Sequence, residues 1–366
     1  MTTMMSNVAI VTALPRFQEY FHDIKNIEFY SRLMLTLPSL TIAFLAPFLG
    51  HFVFRFGKKR SAIIALLIFS LTGSAGLYLD KIEYFLISRA LFGISIATLM
   101  IVSTSLVGDY FKEEARHKFM GYQNSFMAIG GVSFVLGGGF LSDITWRLPF
   151  GIYLIGFLLL PMAIYFLYEV PKDKYLEEEN TIPSKLFGVY ALAFFYMLIF
   201  FILPTQIPFL IIDQFHGSGK MAGSIISLAF LANAFGAITF SKLKTKFSFS
   251  TIYLIGLFII SIGFISVSLV TNIHLFYFTE PILGFGGGIM MTNITAWMLS
   301  RTTNKKRVKS SGYLTSSLFL GQFFSPIFFH PLVSYYGVQK FFLVIGLSLT
   351  LIVLFSTFYK KQVNKI

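Results

Sequence analysis

The sequence has no cysteine, which excludes a disulfide framework, a thiolate metal site and a cysteine nucleophile. Charge is scarce too: 12% of the 366 residues are charged, against about 25% in a soluble domain. That supply cannot build a water-facing surface. Acidic residues are the scarcer sign, 16 against 29 Lys and Arg, and the net charge is +13. Nucleic-acid binding would need those cations on one face of a soluble fold, whereas here they sit in short segments between apolar blocks, so no nucleic-acid partner is expected. Long polar stretches are missing as well. The longest, residues 169–184, holds Pro171, Pro183 and the run Glu177, Glu178, Glu179, and reads as a linker between two halves.

What fills the chain instead is apolar: 55% of residues are hydrophobic, mean hydropathy is +0.75, and Phe alone occurs 45 times. The apolar residues fall in twelve blocks, at 1–14, 31–50, 61–79, 84–107, 119–142, 147–168, 185–206, 219–241, 249–270, 273–299, 309–333 and 338–359. Most have the roughly 20 residues needed to cross about 30 Å of hydrocarbon as a helix. The expected fold is an all-α membrane protein of twelve spans. The first block is the exception, since 14 helical residues reach only about 21 Å. With no basic residue before it and Pro15-Arg16 after it, the block does not read as a signal peptide, and an incomplete first helix is expected.

Loops after even-numbered blocks, together with the C-terminal tail, carry 21 of the 29 Lys and Arg residues. The other side carries seven, and Arg89 lies within a block. The positive-inside rule makes the richer side cytoplasmic and puts both termini there.

Sliding the chain against itself by 191 residues aligns Arg89 with Glu280, Gly93 with Gly284, Met100 with Met291 and Thr104 with Thr295. The same register aligns Arg116 with Arg307, Lys118 with Lys309, Gly121-Tyr122 with Gly312-Tyr313, Ser125 with Ser316 and Gly130 with Gly321, without a gap. This is a duplication of a six-span unit, and an even number of spans inserts both copies in the same orientation. The expected organisation is an N-terminal bundle over 1–168, a cytoplasmic linker over 169–184 and a C-terminal bundle over 185–366.

The segment after the second block carries Gly50, Arg55, Gly57, Lys58 and Lys59, with Phe54 where an acid is usual. Arg89 and Gly93 give R-x-x-x-G in the fourth block, and Trp146-Arg147 opens the sixth. In these features and in its topology the chain resembles the major facilitator superfamily over nearly its whole length. Gly138-Gly139 fill the end of the G-P-x-x-G-G signature of drug–proton antiporters, with Phe134-Val135 in place of its Gly-Pro. The resemblance implies alternating access between two six-helix bundles, with the substrate site between them near mid-membrane. It further implies that Arg89 serves proton coupling or substrate contact, and that Arg55, Lys58, Lys59, Asp109 and Arg116 form a cytoplasmic gate of charge pairs.

The residues themselves support a similar list. Ionisable groups deep in a span face the bundle interior or water, which singles out Arg89 and its repeat mate Glu280, the only carboxylate well inside a block. An Arg at this depth can instead snorkel to the interface, and Glu280 can pair structurally with Thr279 or Asn272. Gln123, Asn124, Gln206 and Asn293 could line a polar cavity or serve as interhelical glue. His330 reads as interfacial rather than as a titratable switch. Gly93, Gly284, Gly138 and Gly139 mark faces where helices approach closely. No pattern calls for a cofactor, a metal or a catalytic constellation. The expected function is secondary active transport, namely proton-coupled efflux of a small amphiphilic compound by a monomer in the bacterial inner membrane. The alternatives are uptake or facilitated diffusion of a polar metabolite, and, from another class, a non-transporting receptor or enzyme.

Overall fold

The computed structural model describes residues 9–111, 113–169, 186–302 and 307–363. Twelve longer helical segments, with short 3-10 turns beside several of them, follow one another among these residues, and no strand occurs. They are α1 (Leu14–Tyr20), α2 (Ile27–Phe56), α3 (Lys58–Gly73), α4 (Ile82–Tyr110), α5 (Glu113–Ile144) and α6 (Ile155–Phe166) in the first half. The second half has α7 (Phe187–Gln214), α8 (Gly219–Lys244), α9 (Phe249–Ser268), α10 (Phe276–Ser300), α11 (Arg307–Tyr336) and α12 (Val338–Val363). Nine helices among the described residues are long and apolar enough to cross a membrane.

Local chemistry explains where these helices start, stop and bend. Gly57, at φ 95°, separates α2 from α3, and Gly337, at φ 75°, separates α11 from α12; both backbones take conformations that Cβ-bearing residues disfavour. Ser218 and Ser248 cap α8 and α9 by accepting from the amides of Met221 and Thr251. Helix α7 is not uniform: Phe187–Phe200 gives way to Ile202–Phe209 and then to a π-helical turn, Leu210–Gln214. Pro204 and Pro208 withhold two amide donors there, so the ladder shifts register instead of continuing straight.

Each half is built alike. Helix α4 packs on α2 and α3, and α10 packs on α8 and α9. The repeat register is visible in atomic contacts: a Cβ on Gly93 would stand 2.6 Å from the carbonyl oxygen of Pro38, and one on Gly284 would collide with the carbonyl of Ala229. Both partners of the first contact move by 191 residues to give the second. Aromatic side chains supply much of the interior; Phe17, Phe21, Phe85 and Phe150 surround Trp146 with ring centroids 5.3–6.2 Å away. Phe44, Phe48 and Phe52 on α2, by contrast, are exposed on its surface. The abundant Phe therefore serves both core packing and apolar outer surface.

The halves meet mainly through two helix pairs, α2 with α11 and α5 with α8. Ser316 Oγ donates to the Ala43 carbonyl across the first pair at 3.0 Å, and Ser227 Oγ to the Val132 carbonyl across the second at 3.2 Å. Burial of α8 is uneven along its axis. At the end away from the Lys/Arg-rich loops, here the far end, α8 buries Gly219, Ala222, Gly223, Ile225, Ile226, Ser227 and Ala229; toward the other, basic end it buries only Gly236 and Phe240.

Candidate functional site

Arg89 is completely buried in the first bundle. Its Nη2 donates to the carbonyls of Thr72 and Gly73, at 2.7 and 2.8 Å, which close the C-terminus of α3. Rings of Phe92, Phe150 and Tyr153 lie 4.8–5.7 Å from the guanidinium carbon. The negative end of the α3 dipole and three aromatic faces thus compensate a cation that meets no water. The group joins α4 to α3 inside one bundle; it does not reach the interface between bundles.

Glu280 is equally buried at the equivalent place in α10, but among the described residues neither of its carboxylate oxygens has a hydrogen-bond partner. The Oγ1 of Thr279 is buried without a partner too, while Asn272 Oδ1 accepts from the His274 amide. An ionised carboxylate in such a place is costly. Asn293, further along α10, donates from Nδ2 to the Phe249 carbonyl at 3.0 Å and so ties α10 to the start of α9 at the basic end.

Gln206 lies in the wholly buried segment Ile202–Phe209 and accepts from Arg32 Nη2 at 3.4 Å. Arg32, on α2, is 3% exposed and gathers groups from both halves. Its Nη1 donates to His330 Nδ1 of α11 at 3.0 Å and lies 3.6 Å from the Glu28 carboxylate, and the Phe209 ring sits 4.9 Å from its guanidinium carbon. Arg32 was not among the residues singled out from sequence, because it counts with the seven cations of the poorer side. The signal was its position inside the apolar block 31–50 rather than in the loop before it.

A second junction at the far end was also not anticipated. Asp143 at the end of α5 accepts from the amides of Gly219 and Lys220, at 2.6 and 2.9 Å, and so covers the N-terminus of α8 in the other half. Arg16 lies 3.7 Å from the same carboxylate and donates to the carbonyls of Ser142 and Asp143. The helices come close enough for this because Gly139 faces Gly219 and Gly223: a Cβ on Gly139 would stand 2.5 Å from the Gly219 carbonyl oxygen. Gly138 faces the carbonyl of Ala9 in the same manner.

At the basic end, Glu169, just after α6, accepts from the amides of Lys58 and Lys59 at 2.7 and 2.9 Å, so an acid does meet this basic segment, through the backbone. Arg55 is exposed near the end of α2. The side chains of Asp109, Arg116, Gln123 and Asn124 lie outside the described residues, as does most of the linker 169–184. Among the described residues no cluster of three His, Asp or Glu could hold a metal ion.

Two similar bundles, joined by two helix pairs and holding buried ionisable groups, form an architecture that known proteins share. The sequence model of the Major Facilitator Superfamily matches residues 1–209 and again residues 189–365, one match over each half. The chain belongs to the major facilitator superfamily. Multidrug resistance protein 1 of Bacillus subtilis is 28% identical over 310 residues, spanning 80% of this chain and 78% of that protein. The class B tetracycline resistance protein of Escherichia coli is 25% identical over 321 residues, spanning 84% and 80%. Among solved structures, a bacterial homolog of the human lysosomal transporter Spinster, inward-facing and occupied, superposes with a TM-score of 0.77 at 17% identity, covering 98% of this chain and 94% of that one. A D-xylose–proton symporter superposes at 0.69 and 15%, covering 95% and 94%. Membership of the superfamily makes this a multi-pass membrane transporter, and Arg89, Glu280, Arg32 and Asp143 are positions within a transporter fold.

Proposed function

We propose that this superfamily member exports a small amphiphilic organic compound in exchange for protons, by alternating access. Residues 1–168 and 185–366 are the two moving bodies, 169–184 is their cytoplasmic connection, and both termini lie on the basic, cytoplasmic side of the bacterial inner membrane. The observation that carries the reading is Glu280: a fully buried carboxylate with no hydrogen-bond partner on either oxygen among the described residues. Such a group is stable when protonated and unstable when ionised, which is the property of a site that loads and releases a proton as its surroundings alternate. Export rather than uptake is supported by the relatives, whose names are those of multidrug and tetracycline resistance proteins. The aromatic interior, poor in charge, suits an amphiphilic cargo.

Everted membrane vesicles test this directly. An acid-interior gradient should drive accumulation of a fluorescent amphiphilic dye, and Glu280→Gln should lose gradient-driven accumulation while still exchanging dye across the membrane at equilibrium. A well-folded Glu280→Gln protein that still concentrates dye in response to the gradient would remove Glu280 from coupling.

A further inference from the structure

The far-end contact between Arg32 and His330 joins residues 298 positions apart and spans the two bundles. A guanidinium can only donate hydrogen bonds. Whichever ring nitrogen of His330 stands 3.0 Å from Arg32 Nη1 must therefore present a lone pair, so the imidazole is neutral when the contact exists. We infer that His330 is a proton-sensing positioning residue of the far-end closure: its neutral ring accepts from Arg32, and protonation of that nitrogen releases α11 from α2. This deepens the proposed transport cycle and rests on it for the direction in which protons move.

The proton comes from water on the far side and adds to the nitrogen lone pair, so the acceptor becomes an N–H donor directed at another donor. The contact then places two cations 3.0 Å apart in a largely desolvated setting, where like charges repel strongly. The other charged groups around the pair do not remove that conflict. Glu28, on α2, is 59% exposed at its side chain and already lies 3.6 Å from Arg32. Asp213 of α7, whose charge acts on Arg32, is exposed, as is Glu19 of α1 near it. Gln206 of α7 and Phe209, the neutral groups against Arg32, do not change with pH. His330 itself is half-buried and packs beside the Phe29 ring, 6.2 Å between centroids, so a proton can reach it while it stands in the contact.

The absence of native cysteine allows a clean measurement. Spin labels on Lys25→Cys and Thr271→Cys, exposed far-end positions in the two halves, report the separation of the bundles in nanodiscs. Between about pH 8 and about pH 5.5, a range that brackets an ordinary histidine, the open-to-closed ratio should rise about tenfold in the otherwise unaltered protein. His330→Gln keeps an acceptor for Arg32 but takes up no proton, and should stay closed at both pH values. An unaltered protein whose distances ignore pH, or a His330→Gln protein that opens on acidification as the parent does, overturns the inference. The first result needs no variant at position 330 to fold. If the distances respond to pH but vesicles show no proton-driven dye movement, the latch stands and the transport reading fails, so the two are separable.

Discussion

Arg89 and Glu280 occupy equivalent positions in the two copies, yet their surroundings differ in kind. Arg89 meets two terminal carbonyls through Nη2 and three aromatic rings, although its Nε and Nη1 have no hydrogen-bond partner among the described residues, whereas neither oxygen of Glu280 has one. The first pattern is that of a structural tie and the second is the one on which the proposed proton site rests. Arg89→Met should therefore act mainly on stability, because it strands the Thr72 and Gly73 carbonyls in an apolar interior, at a cost of about 2 kcal/mol. The check is the thermal unfolding midpoint of the detergent-solubilised protein, with Glu280→Gln as the contrast: removing an uncompensated acid should leave that midpoint unchanged or raise it. An Arg89→Met protein of parental stability but without proton-driven transport would instead give Arg89 a direct role in coupling.

At the scale of elements, one close helix approach is made by glycine in the same register in both copies. Gly93 lies against Pro38 on α2, and Gly284 against Ala229 on α8. A valine at either place must push two backbones apart, and overpacking of this sort costs about 1–3 kcal/mol. Gly93→Val and Gly284→Val should each lower folded yield and melting temperature by similar amounts, since the contacts are equivalent. Fluorescence-detected size-exclusion of the two variants reads this out, and a large difference between them would show that one copy has relaxed the contact. The broken course of α7 is a different use of sequence. Pro204 and Pro208 end regular α-helix where the segment is buried between the halves, and Gln206 is thereby set against Arg32.

Over the whole molecule, polar junctions latch the two halves together at the far end. Asp143 over the N-terminus of α8 is the second latch beside Arg32 and His330, and it spans a different helix pair. A carboxylate there satisfies two amides and complements the helix dipole, interactions worth about 1 kcal/mol or somewhat more. Asp143→Asn should thus raise the open-to-closed ratio measured by the same label pair about fivefold at any pH, without altering its pH slope. Loss of that slope would mean that the two latches act as one unit.

Much of this architecture was legible in one dimension because its causes are local or periodic. Block length follows from bilayer thickness, and the repeat register follows from duplication, so Gly93 and Gly284 were paired by sequence before Pro38 and Ala229 were seen to pair with them. The sequence by itself also picked out Arg89 and Glu280 among the buried ionisable residues. It left Arg89 open between function and structure, because the carbonyls that receive it belong to another helix. It passed over Arg32 and treated His330 as a bland interfacial residue, because an isolated cation or imidazole near a helix end looks the same whatever stands opposite. Tertiary structure alone decided that α2 and α11 bring those two within 3.0 Å, and that Asp143 reaches the start of α8. The physical reason is the same in both cases: a polar group in an apolar medium is defined by its partner, and partners on different helices are fixed only when the helices pack.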